Sequence, residues 1–183
     1  MNARLTPAAL RFRPLEREDL PLVHRWMHAP HADRWWGRGR TVADVIAEYT
    51  PRVAGLIPIH PYIVCYDAAP IGLLEWVRFG HFPGLMRAYG LDDEDAVGCD
   101  VLIGEECFAH HGLGGPMITR FLRELPLRDA RHTDCFIDPE KDNLIAIRAY
   151  EKAGFRYVRD AADDKGTPIH LMMMRRDELE RLG

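Results

Sequence analysis

The stretch from residue 97 to residue 125 constrains this chain more than any other. In Val97-Gly98-Cys99-Asp100-Val101-Leu102-Ile103 a period of two puts Val97, Cys99, Val101 and Ile103 on one face and Asp100 on the other, the pattern of a strand. His111-Gly112-Leu113-Gly114-Gly115-Pro116 follows. Met117, Ile118, Phe121, Leu122 and Leu125 then recur at the spacing of an amphipathic helix, with Pro116 in its first turn. A strand that feeds a helix through a glycine loop belongs to an α/β architecture. Without Cβ atoms the loop backbone approaches a phosphate closely, and the amides at the start of the helix aim positive partial charge at it. Glycines also mark ordinary turns, so the loop alone leaves phosphate binding and plain chain reversal both open.

The flanking sequence continues the alternation of elements. Leu10, Phe12 and Leu15 read as a strand, and the acidic turn at 16–19 opens a helix carrying Leu20, Val23, Trp26 and Met27. Thr41-Val42-Ala43-Asp44 starts a second helix through Tyr49, which leaves Trp35 and Trp36 in the link between the two. Residues 62–66 and 71–77, joined by the Asp67-Ala68-Ala69-Pro70 turn, predict a central hairpin. Residues 79–90 are expected to form a long loop, extended by the acidic run Asp92-Asp93-Glu94-Asp95. Further strands are expected over 132–137, 155–158 and 169–174. A helix over 144–153 is capped by Asp142-Asn143 and stopped by Gly154, and Asp163-Asp164-Lys165-Gly166 makes a turn. The expectation is one α/β domain across residues 1–183, a mixed twisted sheet flanked by helices.

Composition removes several function classes. With 183 residues, 47% hydrophobic and 28% charged, the chain buries a sizeable core without disulfide or metal staples. Lysine and arginine total 24 against 28 acids, a net charge of −4, so no global positive field is present to hold nucleic acid. The apolar runs fall far short of the roughly 20 residues that span a bilayer. The stretch Met1 to Leu10 is too short and polar for a secretory signal, so a cytoplasmic location is expected. Cys65, Cys99, Cys107 and Cys135 form no C-x-x-C pair and read as reduced thiols. His24, His28 and His31 lack an evident fourth ligand, and no metal is expected.

Asn143-Leu144-Ile145-Ala146-Ile147-Arg148-Ala149-Tyr150-Glu151-Lys152-Ala153-Gly154-Phe155 fits the pattern N-x-x-A-x-x-x-Y-x-K-x-G-F. Upstream, Gly112-Leu113-Gly114 stands in the place of a Q/R-x-x-G-x-G/A loop, with Ala109 where glutamine or arginine is usual. Together these segments resemble the GNAT acetyltransferase superfamily. Within it, Arg34-Trp35-Trp36-Gly37, Thr41-Val42-Ala43-Asp44-Val45, Pro61-Tyr62-Ile63 and Gly98-Cys99-Asp100 resemble, in order, the aminoglycoside 6'-N-acetyltransferases, over about residues 10–175. Siderophore-pathway acyltransferases acting on hydroxylated lysine side chains share several of these matches.

The resemblance implies acetyl-CoA as donor, held by Val101, Ile103, His111, Gly112, Leu113, Gly114, Gly115, Asn143, Ala146 and Tyr150. It places Tyr150 near the cofactor sulfur, where a phenol of reference pKa about 10 donates to a leaving thiolate. It associates Asp100 with the acceptor amine and its proton, and puts Asp93 and Asp138 on the substrate side with Trp35, Trp36 and Tyr62 as walls. Read from the residues alone, a carboxylate on an apolar strand is costly to bury unless a cation or donor meets it. A substrate ammonium, backbone donors or an arginine would each serve Asp100, and Gly98 beside it leaves room. Tyr150 reads equally as a packed helix residue, Asp138 as a turn residue, and one of the two tryptophans as a core plug. Residues 91–106 hold seven acids and no base, a field that attracts a polycation. Where the family has an aspartate before the last strand this chain has Lys165, next to Asp164. The implied activity is acetyl transfer to a primary amine of a small polycation, an aminoglycoside 6'-amine by preference, through direct attack in a ternary complex by a monomer or homodimer. A metabolite-amine acyltransferase and a noncatalytic acyl-CoA or antibiotic binder are the alternatives.

Overall fold

The alternating strand and helix patterns assemble into one sheet. The computed structural model describes residues 6–163 and 165–182; Asp164 and the first five residues of the Met1 to Leu10 stretch lie outside the described residues. The strands are β1 (Leu10–Pro14), β2 (Ile59–Tyr66), β3 (Ala69–Arg78), β4 (Val97–Ile103), β5 (Cys135–Ile137), β6 (Arg156–Ala162) and β7 (Pro168–Met174). The helices are α1 (Leu20–Met27), α2 (Val42–Val53), α3 (Pro83–Tyr89), α4 (Gly114–Glu124), α5 (Leu144–Ala153) and α6 (Arg176–Arg181). The seven strands run in the order β1-β2-β3-β4-β5-β7-β6. The sheet is mixed, because β1/β2, β5/β7 and β6/β7 are antiparallel and β4/β5 is parallel.

The chain divides into two compact units whose boundaries fall inside β3, inside β4 and between Leu113 and Gly114. The first comprises residues up to Glu75 together with Asp100–Leu113. Leu20, Val23, Trp26 and Met27 of α1 are all buried, as their spacing requires, and pack with Val45, Tyr49, Ile63, Leu73 and Leu102. Glu16 and Asp19 cap one another ahead of α1, and the Arg13 guanidinium 2.7 Å from Asp19 holds that carboxyl below its ordinary range. Thr41 and Asp44 form the capping box that opens α2. Trp26 closes the far end of β4. Its indole Nε1 donates to Glu105 at 2.8 Å, and a Cβ on Gly104 would stand 2.0 Å from its ring, so only glycine lets the chain leave β4 here.

Inside this unit lies a charged network that the hydrophobic pattern hides. Glu75 of β3 is 4% exposed, and Arg52 of α2 donates to it at 2.7 Å and to Glu48 at 2.5 Å. Arg40 pairs with Glu48 in turn, and the Arg52 guanidinium stacks over the Tyr49 ring, 4.6 Å from its centroid. Burial pushes the Glu75 carboxyl up, against the pull of Arg52.

The second unit comprises Trp76–Cys99 and Gly114–Gly183. Here the expected loop at 79–90 is instead a short 3-10 turn, Phe79–His81, followed by α3. Pro83, read as a loop residue, occupies the first turn of α3, where a missing N–H costs nothing. Phe79, Met86 and Tyr89 are buried with Phe136, Ile169 and Leu171. The cap reading of α5 holds: Asn143 Oδ1 accepts from the Ala146 amide at 3.2 Å, and Gly154 ends the helix at φ +105°. Helices α4 and α5 touch where a Cβ on Gly115 would lie 3.5 Å from Ala153. The strand expected over 132–137 is shortened to β5; the His132 amide bonds back to the Asp129 carbonyl at 3.1 Å, in a turn ahead of the strand, and its ring bonds the Pro126 carbonyl at 2.5 Å. Strand β6 runs on to Ala162, and the charged tail forms α6, anchored by buried Leu179.

Replacing Arg52 with methionine should leave the Glu75 charge buried and unpaired, and lower the unfolding free energy by about 3 kcal/mol. The double variant Arg52→Met/Glu75→Gln should recover a substantial part of that loss. Urea unfolding of the two proteins compares them.

Candidate active site

Strand β4 supplies the central carboxylate and the adjoining backbone. On its β5 side, Val97 pairs with Cys135 and Gly98 with Phe136, and β4 then continues to Ile103 beyond that ladder. A strand edge past its ladder presents N–H and C=O groups to whatever lies alongside. Asp100 lies on this stretch with its side chain exposed, so the burial cost expected of it from sequence does not arise. That cost falls on Glu75. The room expected beside Gly98 is also not there, since Val77 and Phe79 would stand 3.1 Å from a Cβ at that position. Burial raises the Tyr49 hydroxyl well above the ordinary range, and the charge of Glu75 and, more weakly, that of Asp100 raise it further against the pull of Arg52.

Of the backbone positions assigned to the donor, Val101 and Ile103 are half-buried. The Ile103 carbonyl already accepts from His31 Nε2 at 2.7 Å. The remaining histidines of that segment are also spent on backbone carbonyls, His24 on Arg40 at 3.1 Å and His28 on His24 at 3.0 Å. Trp36 packs against the core of the first unit, which makes it the plug of the pair. Trp35 instead lies under the Arg34 guanidinium at 4.5 Å. Tyr62 lines a cavity of about 200 Å³ with Leu15, Arg52 and His60.

The glycine loop has the form that phosphate binding needs. Gly112 is exposed at φ +76° with open space where its Cβ would be, and His110 before it is also left-handed at φ +62°. His111 is exposed, whereas Leu113 is buried and offers its backbone only. Helix α4 then begins at Gly114, so its first two amides, which have no partner within it, belong to the side-chain-free residues Gly114 and Gly115. These residues fit a pyrophosphate group. Ala109, in the place of the usual polar residue, is 6% exposed and belongs to the packed interior.

In the second unit α5 carries three of the expected donor contacts. Asn143 caps the helix through its oxygen, and Ala146 and Tyr150, four residues apart, share a face. The Tyr150 ring is half-buried and lies 6.0 Å from Phe155. Asp138, directly after β5, is half-buried and accepts a short hydrogen bond from the Tyr89 hydroxyl. Asp93 is used to close its own loop, accepting from the Asp95 amide at 2.9 Å and from the Thr133 hydroxyl at 2.5 Å. Lys165 is exposed in the turn before β7, which is organised by Asp163 accepting from the Lys165 and Thr167 amides.

Sequence reasoning missed Glu75, Arg52 and Tyr89. Glu75 carried the signal applied to Asp100, an acid within the apolar run Ile71-Gly72-Leu73-Leu74-Glu75-Trp76-Val77. Tyr89 lies in a segment whose glycine and proline content reads as loop, which hides the helix α3 that carries it.

Comparison with known proteins agrees with this geometry. Residues 16–162 match the family model described as an acetyltransferase (GNAT) domain. The chain is 31% identical over 167 residues to the aminoglycoside N(6')-acetyltransferase type 1 of Klebsiella pneumoniae, covering 89% of this chain and 82% of that one. It is similar to the crystal structure of the aminoglycoside acetyltransferase AAC(6')-Ib with coenzyme A, at TM-score 0.80 and 30% identity over 94% of this chain and 98% of that one. The same enzyme with coenzyme A and kanamycin gives TM-score 0.79 at 30% identity, covering 94% and 98%. With the sheet order, the glycine loop ahead of α4 and the capped α5 all in place, the chain belongs to the GNAT acetyltransferase family.

Proposed function

We propose that this protein is a single acetyltransferase domain across residues 1–183 that moves an acetyl group from acetyl-CoA to a primary amine of a small polycation, by preference the 6'-amine of an aminoglycoside. The observation that carries this reading is likeness along nearly the whole chain to enzymes named for that reaction, including one with coenzyme A and kanamycin bound. The proposed enzyme works in the cytoplasm as a monomer or homodimer. Among the described residues no helix is long and apolar enough to cross a membrane.

Acetyl-CoA, when bound, supplies the activated thioester. The amides at the start of α4 and the exposed Gly112 backbone receive its pyrophosphate, and the β4 edge at Val101 and Ile103 offers backbone groups to the amide-bearing arm. Asn143 and Ala146 lie at the start of α5, and Tyr150 one turn further on. Asp100, exposed and anionic, accepts from the acceptor ammonium and takes its proton, which frees the nitrogen lone pair for attack on the thioester carbon. The new C–N bond replaces the C–S bond, and the Tyr150 hydroxyl gives its proton to the departing sulfur and regains one from solvent. Asp138 and the exposed acids Asp92, Asp93 and Glu94 add negative charge that favours a polycation, and Trp35 and Tyr62 offer aromatic surface to it, while Trp36 packs against the core.

Thiol release with acetyl-CoA against kanamycin, tobramycin, gentamicin, hydroxylysine and simple diamines, with mass analysis of products, tests the reading. Monoacetylated kanamycin is the expected product. Turnover of hydroxylysine alone would replace the acceptor, and coenzyme A binding without turnover of any amine would replace the enzyme with a binder. Asp100→Asn should lower kcat at neutral pH about a hundredfold and remove the acidic limb of its pH profile. Tyr150→Phe should lower kcat at least about tenfold and leave coenzyme A affinity within about twofold, as measured by titration calorimetry.

A further inference from the structure

We propose that Tyr89 is a positioning residue for Asp138, its hydroxyl holding that carboxylate in the orientation that meets the acceptor; the role on the acceptor side rests on the function proposed above. Tyr89 is 3% exposed, and its ring meets Phe79 edge-on at 6.1 Å within the core that also holds Phe136, Ile169 and Leu171. A phenol buried this deeply needs a partner for its hydroxyl, and it finds Asp138 Oδ2, 49 residues further along the chain.

Both ends of this bond are anchored by other contacts. Tyr89 is the last residue of α3, and Gly90 stops the helix in the left-handed region at φ +61°. Arg159 of β6 donates to the Gly90 carbonyl at 3.1 Å, and the Leu91 amide returns to Met86 at 2.8 Å. The donor therefore has little freedom to follow a moving carboxylate. On the other side, the Pro139 carbonyl accepts from the His170 amide at 2.8 Å, and the Lys141 amide donates to Pro168 at 3.2 Å. The backbone around Asp138 is thus tied to β7, and the Tyr89 hydroxyl acts on the torsions of its side chain. A fixed carboxylate gives up less rotamer entropy when an ammonium or hydroxyl docks, and a phenol donating to one oxygen favours the anion. The bond also ties the 79–95 segment, which sequence marks as a binding element, to the end of β5. A tyrosine that served the core alone would need no hydroxyl. Phenylalanine at 89 keeps the ring and removes the donor.

The test uses the full chain and whichever amine of the panel the wild type acetylates. Tyr89→Phe should raise the acceptor KM about tenfold, the size of one hydrogen bond to a charged group, while kcat and the acetyl-CoA KM stay within about twofold. In an Asp138→Asn background the same substitution should change the acceptor KM by less than about twofold. An unchanged KM in Tyr89→Phe overturns the inference and leaves the proposed function standing. So does a KM effect that persists in the Asp138→Asn background, or a parallel loss in kcat and acetyl-CoA KM. A wild type that acetylates no amine overturns the proposed function and with it the role of Tyr89.

Discussion

Putting the Glu75 carboxylate inside the first unit forces much of what surrounds it. A buried anion must be met by a cation with good geometry, and Arg52 reaches it from α2 at 2.7 Å. That contact fixes the rotation of α2 about its axis, because Arg52 must face β3. Tyr49, three residues earlier, is carried into the same interior, its ring under the guanidinium. Glu48 and Arg40 extend the network back to the link that contains Trp35 and Trp36. The direction in which the aromatic link leaves α2 is thereby set by an electrostatic requirement on β3.

What was legible in the sequence divides along local and nonlocal lines. The α5 segment was legible down to its caps, because Asn143 bonding the Ala146 amide and Gly154 turning left-handed are decided within a few residues. The strand, glycine loop and helix from β4 into α4 were legible for the same reason. Helix α3 was not, since its glycine and proline content reads as loop and its formation depends on Met86 and Tyr89 reaching a core built from β5 and β7. The candidate site shows the same split. Asp100 and Tyr150 are candidates by motif position alone. Tyr89 and Arg52 matter through partners 49 and 23 residues distant, which no window of sequence contains.

An acid in an apolar strand marks either a buried pair or a carboxylate open to solvent, and the strand pattern does not distinguish them. Here both occur, one on β3 and one on β4, with opposite outcomes. Glu75 is buried and has an arginine reachable from the neighbouring helix. Asp100 faces outward, where solvation meets the charge and burial makes no such demand.

Three carboxylates with the same chemistry are therefore sorted by environment alone. Glu75, enclosed and paired with Arg52, holds structure, and its burial works against its charge. Asp138 is half-buried and anchored by a phenol, which suits a group that recognises without accepting a proton, because the donor stabilises the anion. Asp100 is exposed on β4, and the function proposed above asks it to meet the acceptor ammonium and take its proton. A proton acceptor needs a basicity that close donors would remove, whereas an anchoring anion needs the reverse. Exchanging the environments of Asp100 and Asp138 would leave the composition untouched and reverse their fitness for the two tasks.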